Sequence, residues 1–537
     1  MAATVTDLRT TRADADSTTG WQGSPNLFTS DPSPVEQTGS IGYVVSTATV
    51  DAYHVGASVD LSDALVYVWV RPFGAMDTTA NGGVGLHLSD GTNRVSFHLA
   101  GSDVAGFRHA EGPVEWQCLV ADTQNLPSVT TVRAGSLGAL NLTAITGIGA
   151  TFKTLAKSVG GSSNCYIDIM RHGNGPVLRI SAGTSGDPAT FKDAEILDRS
   201  TASGRAHGVI RQLGAGLFGI QGPLQVGHPT SGNTYFLDTN VTAVFEARGL
   251  GTTRYRIAIV RGTGTTHYQL GTKVGSGATA TGANGCTIAS PTGVGGELDA
   301  DTETATTDVR IYGSTLENLT AGIGLQSGHE LIDTTVRGCG TVRANGATLV
   351  NSRFTGSPAA AAVLWNVNIN TAERLDGCSF VRGASGHAIE LGPNTPTEIT
   401  LTGTSFAGYG ANDTTDAAIY NNSGKAITIN LVNSTSPTVR NGAGASTTLQ
   451  VSATHTLTGL IEGSRVTYVQ TGTETELYEA PSVGASGETA YAYTEPVTVD
   501  IFIHALNYVP LELIGVALTG VDASIPITQN RDRWYSG

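Results

Sequence analysis

Nine carboxylates fall between residues 317 and 416, among them Glu317, Glu330, Asp333, Glu373, Asp376, Glu390, Asp413 and Asp416. Paired Asp and Glu side chains are the equipment of glycoside cleavage: one carboxyl protonates the leaving oxygen while the other attacks or activates water. If Asp333 and Asp376 sit near the same edge of a repeating structure, two coils apart, their carboxyls lie about 10 Å from each other. That is the upper end of the spacing used by inverting enzymes. Asp333 also has a simpler reading, because it occupies a position shared with Asn351 and several glycines, and a short Asx side chain suits a turn. His387 and Glu390 are three residues apart, so on an extended strand they face opposite sides and need a bend to act together. Arg171-His172, within NCYIDIMRHGNGP (164–176), reads as a solvated turn, and the acidic tract ELDADTETATTD (297–308) as a solvated loop rather than a calcium site. The repeat region has few aromatics to line a sugar groove: Tyr312, Trp365, Tyr409 and Tyr420. No HExxH, GxSxG, Walker or EF-hand pattern occurs. No catalytic residue, cofactor-binding residue or metal ligand is therefore assigned, and no cofactor is expected.

The bulk composition sets the frame. The chain has 537 residues, 39% hydrophobic and 14% charged, with 69 glycines and a net charge of −15. The charged fraction is well below the usual level of about 25%, and abundant Gly and Thr suit short strands joined by tight turns. A net negative chain without a basic run is a poor partner for phosphates, so no nucleic acid is expected. Cys118, Cys165, Cys286, Cys339 and Cys378 are odd in number and scattered, which signals neither a disulfide framework nor a zinc site and suits small buried residues. No apolar run is long enough for a membrane span. The polar opening MAATVTDLRTTRADADSTTG lacks the apolar core of a signal peptide, so synthesis in a cytoplasm without that export route is expected.

Four segments follow along the chain. Residues 1–40 read as an N-terminal arm, ordered by lying on a neighbouring subunit. Residues 41–204 read as a β-sandwich. Val84, Leu86 and Leu88 alternate with polar or small residues, Ser89–Asn93 supplies a Gly-containing turn, and Val95, Phe97 and Leu99 alternate again, which predicts a hairpin. The run LVYVWV (65–70) is apolar on both faces, as in a strand covered from both sides. Residues 205–455 carry a loose repeat: Gly, Asp or Asn; then Ser, Thr or Cys; then any residue; then a large apolar one. It reads Gly285-Cys286-Thr287-Ile288, Gly313-Ser314-Thr315-Leu316, Asp333-Thr334-Thr335-Val336, Asn351-Ser352-Arg353-Phe354, Gly377-Cys378-Ser379-Phe380 and Gly403-Thr404-Ser405-Phe406. Its large residues recur at intervals of 28, 20, 18, 26 and 26, which are solenoid periods. Each unit has only four to six strand-like residues, too few for a helical repeat. The pattern predicts a right-handed parallel β-helix in which Ile288, Leu316, Val336, Phe354, Phe380 and Phe406 stack inward. The small residues two positions earlier also point inward, and the intervening ones face solvent. A stacked all-β sandwich is the alternative. Residues 456–537 read as a small β-sandwich, with Val497, Val499, Ile501 and Ile503 alternating with Thr498, Asp500, Phe502 and His504. The closing ITQNRDRWYSG, with Arg531, Arg533, Trp534 and Tyr535, has the composition of a docking contact or of a solvated tail.

The predicted class is thus all-β: an N-terminal jelly-roll-like sandwich, a central parallel β-helix and a C-terminal sandwich. The region 41–204 looks like a concanavalin-like jelly roll, without a sugar- or calcium-binding motif of that family. The sandwich followed by a Gly/Thr-rich solenoid, the lead-in RQLGAGLFGIQGPLQVG (211–227) and the terminal GSRVTYVQTGTETELYEA (463–480) with NRDRWYSG resemble structural proteins of tailed bacteriophages. That resemblance covers most of the chain with loose motifs. It implies a homotrimer placed on the virion, in contact with other capsid or tail proteins. The expected function is a non-enzymatic rigid surface projection: a capsid decoration, head fibre or tail component. Many phage β-helices are tailspikes, so the alternative is a receptor-binding protein or depolymerase that meets a host-surface glycan. A pectate-lyase-like cellular enzyme is a third reading, and the missing signal peptide counts against it.

Overall fold

A computed structural model describes residues 4–23, 25–28, 39–45, 49–71, 83–98, 116–126, 130–153, 163–181, 188–199, 207–230, 232–246, 254–273, 285–301, 308–368 and 374–532. Strands dominate these residues, together with one short helix, Phe191–Asp198, and three single-turn 3₁₀ segments. The all-β class read from the sequence is the class observed. The chain forms two compact units: Met1–Thr272 with Asn284–Val309 and Thr315–Gly322, and Lys273–Ala283 with Arg310–Ser314 and Ile323–Gly537.

The first unit opens with two antiparallel sheets. One runs in the order Gln117–Asp122, Leu65–Arg71, Ser163–Gly173, Ser40–Val45, Asn26–Phe28. The other runs Thr130–Ala134, Arg94–His98, Gly83–Ser89, Ile145–Lys153, Val50–Val59, Trp21–Gln22. Alternation aims one face of each inward, so Val66, Val68 and Val70 share a core with Leu86, Leu88, Ile148, Ala150 and Phe152. The predicted hairpin is present, with Leu86 opposite Phe97 and Leu88 opposite Val95; Leu99 lies outside the described residues. The run at 65–70 is buried on both faces, as its composition requires: Leu65 and Tyr67 point away from the sandwich core yet are no more than 1% exposed. There the Tyr67 hydroxyl donates to the Gln221 carbonyl at 2.5 Å, and the Arg9 guanidinium lies 4.0 Å from the centre of its ring.

The N-terminal segment departs from expectation. Its described residues are held by this chain itself. Thr4–Asp7 pairs antiparallel with Leu178–Ser181, Thr10–Ala13 pairs with the strand Ser163–Gly173, and Ala15 and Trp21 are part of the sandwich core.

Elsewhere in the first unit most described strands pair in parallel, apart from the antiparallel pair Ile210–Gly214 and Leu217–Ile220. Leu178–Ser181, Leu224–Val226, Arg256–Ile259 and Glu297–Asp299 follow one another in register, as do Leu217–Ile220, Thr242–Phe245, Thr287–Ala289 and Thr315–Glu317. Ala243, Ile288 and Leu316 are aligned partners. The helix Phe191–Asp198 starts at Thr190, whose side chain accepts from the Asp193 amide. It sets Phe191 against Phe236 at 4.9 Å, and Phe236 in turn stacks on Tyr268 at 5.1 Å. The helix thus adds Phe191 to an aromatic cluster with Phe218, Phe236 and Tyr268.

In the second unit Thr335–Arg337, Arg353–Thr355, Ser379–Val381 and Ser405–Ala407 pair in parallel, so that Val336, Phe354, Phe380 and Phe406 are successive partners. The strands at 342–343, Ala361–Trp365, His387–Leu391, Ile419–Asn421 and Val439–Asn441 form a second parallel series. Glu398–Thr402, Ala426–Val432 and Ser446–Thr458 begin a third. The last of these, thirteen residues long, changes partner midway. Ser446–Ser452 pair in parallel with Ala426–Val432, and Ala453–Leu457 pair antiparallel with Thr489–Tyr493. A four-stranded antiparallel sheet follows, in the order Glu476–Ala480, Arg465–Gln470, Val497–His504, Leu511–Leu518. In it Val499, Ile501 and Ile503 are buried, as their alternation predicts.

The repeat has a physical cause at each position. Its first residue has positive φ: 52° at Gly313, 51° at Asp333, 52° at Asn351, 67° at Gly377 and 62° at Gly403. Gly, Asn and Asp are the residues that tolerate this region. The second residue does more than stay small. The Thr334 hydroxyl donates to the Ile311 carbonyl, Ser352 to Leu331, and Thr404 to Leu375, each on the preceding coil. Buried carbonyls at the corner gain a donor that no strand provides. The fourth residue is the large interior one.

Candidate functional site

The described carboxylates between residues 317 and 416 have structural roles, some through the side chain and some only through the backbone. Asp333 is the positive-φ corner residue of its rung and its amide donates to the Val350 carbonyl at 3.0 Å. Asp376 precedes the equivalent corner, Gly377, and its carbonyl accepts from the Asn351 amide at 2.7 Å. Glu330 accepts from the Tyr312 hydroxyl. Asp413 is another positive-φ residue, at 63°. Asp416 pairs with Arg382 at 3.1 Å and accepts from the Thr414 hydroxyl at 2.6 Å; that hydroxyl first, and then Arg382, hold its carboxyl below the usual range. Glu317 ends the strand Thr315–Glu317, where its carbonyl accepts from the Ser290 amide. Glu373 lies outside the described residues.

His387 and Glu390 come closer to a joint site than strand alternation predicts. The amides of Ala388 and Ile389 both donate to the Ala418 carbonyl, which marks the bend between them. Tyr420 is the register partner of Glu390, and its ring stacks on His387 with centroids 5.0 Å apart. Glu390 accepts from the Asn422 side chain at 2.9 Å, and the Tyr420 hydroxyl donates to the same Asn422 at 3.1 Å. Arg440 lies over the Tyr420 ring at 4.7 Å. The tyrosine face that a sugar would stack on is therefore already shared between an imidazole and a guanidinium. Trp365 and Tyr312 are buried, and Tyr409 packs edge-on against Phe406.

Arg171 and His172 are not a solvated turn. Both lie within the strand Ser163–Gly173 and are at most 9% exposed. Arg171 pairs with Asp7 at 2.7 Å, and Asp7 also meets Arg9 at 2.8 Å and His207 at 3.2 Å. Burial works against the Asp7 charge, but the hydrogen bond from His207 and the two guanidiniums more than offset it, leaving the carboxyl well below the ordinary range. Nearby Asp198 is fully buried and pushed upward by desolvation. It accepts from the amides of His207, Val209 and Ile210 at 2.7–3.0 Å. Asp238, pushed by burial to about 7, accepts from the Phe191 amide at 2.7 Å. These buried acids hold the backbone. The five cysteines are buried thiols. Among the described residues no group of three or more His, Cys, Asp or Glu is placed to hold a metal ion, and no helix is long and apolar enough to cross a membrane. Of the acidic tract, residues 302–307 lie outside the described residues; Asp299 pairs with Arg256.

No protein-family model matches the chain, and no curated protein matches it.

One polar constellation went unseen in the sequence. On the outward face of the second sandwich sheet, the imidazole of His87 is fully buried, stacked on Tyr53 with centroids 4.4 Å apart. Its Nδ1 is 3.4 Å from the Ser96 hydroxyl. Ser96 and Thr151 share a 2.7 Å hydrogen bond, and Thr151 donates to Asp51 at 3.3 Å. Arg133 donates to Asp51 at 2.8 Å, and Arg94 to the Tyr53 hydroxyl at 3.2 Å. Five strands contribute these residues over a hundred positions, and no local spacing announces them.

Proposed function

We propose that the chain is a non-enzymatic structural protein of a tailed-phage virion, a rigid surface projection acting as capsid decoration, head fibre or tail component. In this reading its coils form a right-handed parallel β-helix and three copies assemble into a homotrimer. The observation that carries the reading is the aromatic ladder of Phe354, Phe380 and Phe406, backed by the column of corner hydroxyls. Together they put the repeat's informative residues to work inside the coil, where they stiffen it and do no chemistry. Of the carboxylates that a polysaccharide-cleaving site would draw on, Glu330, Glu390 and Asp416 have side-chain partners, Asp333 and Asp413 stand at positive-φ positions, and Tyr420 is covered. The reading also draws on the loose resemblance of the sequence to phage structural proteins.

The test has two arms. Gold-labelled antibody against the pure protein, applied to virions and viewed by electron microscopy, is expected to decorate the particle surface. Labelling confined to host debris overturns the virion assignment. Incubation with host capsule or lipopolysaccharide is expected to release no new reducing ends. Release that disappears in Asp376→Asn would make the protein a depolymerase instead.

A further inference from the structure

One edge of the C-terminal antiparallel sheet is open. Its last strand, Leu511–Leu518, pairs with Val497–His504 on one side and, among the described residues, with no strand on the other. The described end of the chain does not cover it. The Val509 amide donates to the Asn530 carbonyl and the Asp532 amide to the Asn507 carbonyl, so the chain runs back beside 507–509, away from Leu511.

Sheets commonly blunt such edges with charge, proline or very short strands. The opposite edge of this sheet is blunted by charge: Glu476–Ala480 carries Glu476 and Glu479. The strand LELIGVAL is eight residues long, with no proline and a single charge, Glu512. Ile514 on it is 64% exposed, and Val509 just before it 48%.

The strand is also self-complementary, and a bulge makes it so. Val499 and Ile501, two apart, have Val516 and Leu513 as partners, three apart, so Ile514 and Gly515 together take one place in the alternation. Gly515 supplies a positive φ of 71°, and its amide donates to the Asp500 carboxylate at 2.8 Å. Leu511, Leu513, Val516 and Leu518 consequently lie on the inner side, half-buried or buried, and Glu512, Ile514, Gly515 and Ala517 on the exposed side. Both sets are symmetric about the bond between Ile514 and Gly515. An antiparallel copy laid along the open edge, with a two-fold axis at that bond, sets Leu511 opposite Leu518, Leu513 opposite Val516 and Glu512 opposite Ala517. Every inner pair is then apolar, and no like charges stand opposite each other.

We propose that Leu511–Leu518 is where a second copy of this chain docks, by two-fold strand pairing edge to edge. A groove of about 570 Å³ lies at the Leu518 end of the strand, lined by Ser436, Pro496, Thr498 and Thr519 among others. The same axis carries the exposed Val509 of the other copy toward it, which extends the contact beyond the strands at both ends. Two-fold pairing uses up the open edge of both copies and, with the far edge acidic, closes instead of growing into a fibre. It joins copies two at a time, so with the proposed homotrimer it links one trimer to another. The pairing does not rest on the virion reading.

The test is sedimentation of the full chain over a range of concentrations, with hydrogen exchange read on peptides covering Leu511–Leu518. The weight-average mass is expected to rise to twice its dilute value, and exchange across the strand to slow in step. The chain carries a net charge of −15, so association should tighten as salt screens the repulsion between copies. Ala517→Glu, at an exposed position, sets a carboxylate opposite Glu512 twice across the axis and is expected to weaken pairing about fivefold or more. Ala517→Lys sets an ammonium there and is expected to keep or strengthen it; circular dichroism checks that both variants fold. A mass that stays constant with concentration overturns the proposal. So does doubling that leaves exchange at Leu511–Leu518 unchanged, or that responds alike to the two Ala517 substitutions. The dilute mass bears on the homotrimer alone, so the two ideas fail separately.

Discussion

The ring of Phe380 lies 4.9 Å from that of Phe354 with only 10° between their planes. The two residues are 26 positions apart in sequence and are direct register partners across parallel strands. Phe406 continues the stack at 5.5 Å and the same tilt, but it is only half-buried.

Phe380→Ala therefore opens a cavity with an aromatic ring on either side. A loss of about 3–5 kcal/mol is expected, read as a lower urea midpoint. Phe406→Ala, at the half-buried end, should cost well under half as much. Equal losses would show that the stack is not what holds these coils.

The corner positions give a test by conformation alone. Asp333→Gly is expected to be nearly neutral, because glycine adopts φ 51° without strain. Asp333→Val should cost about 1–2 kcal/mol, measured by thermal or urea unfolding. A catalytic Asp333 would instead make both variants inactive with similar stability.

The hydroxyl column predicts a different signature. Ser352 donates to the carbonyls of Leu331 and Val350 and is 1% exposed. Ser352→Ala removes that donor from the buried Leu331 carbonyl, while Val350 keeps the Asp333 amide, and about 1–2 kcal/mol of destabilisation follows. Ser352→Cys, the residue found at the equivalent position 378, should recover part of it. Hydrogen exchange should be faster at the amides of neighbouring rungs in Ser352→Ala.

Asp238 makes stability depend on pH. Its folded pKa, about 7, lies above its ordinary value of 3.8, so the folded state holds a proton that the unfolded state gives up. Its contribution is full below about pH 4 and declines as pH rises to about 7. Asp238→Asn keeps an acceptor for the Phe191 amide and removes the charge. The variant should melt higher than wild type near pH 8 and match it near pH 4.

Asp7 acts in the opposite sense. Its pKa is depressed, so its contribution is present above the ordinary carboxylate range and is lost as pH falls toward the lower folded value. Asp7→Asn leaves buried Arg9 and Arg171 without their carboxylate, and about 3 kcal/mol should be lost near neutral pH. The deficit relative to wild type should shrink in strong acid.

Much of the fold was legible because it is periodic. Period-2 alternation marked the 84–98 hairpin and the strand Val497–His504, and the corner motif marked six short strands, five of whose large residues are buried. The motif also missed rungs. Asn433 has φ 50° and the Ser434 hydroxyl donates to the Leu401 carbonyl, but Ser436 stands where a large residue was required. Asn240, at φ 54°, leads through Val241 to Ala243 and so fails the motif at both its second and its fourth position. The column depends on the corner and its donor, and the fourth side chain is free to shrink where other groups fill the interior. Arg171-His172 was misread because Gly173–Pro176 signals a turn, and the strand runs right up to it. The polar cluster around His87 left no trace in sequence because its members, on five strands, meet only in the folded sheet.

The thirteen-residue strand Ser446–Thr458 has a mechanical consequence. Its first half is zipped to Ala426–Val432 over seven aligned pairs, and its second half is woven into the C-terminal sheets. A force applied to the C-terminal sheets along this strand loads those seven pairs in shear, all at once, instead of peeling them singly. Nor does a protease find a slack tether here between coil and C-terminal sheets: the crossing from one to the other is made by hydrogen-bonded backbone.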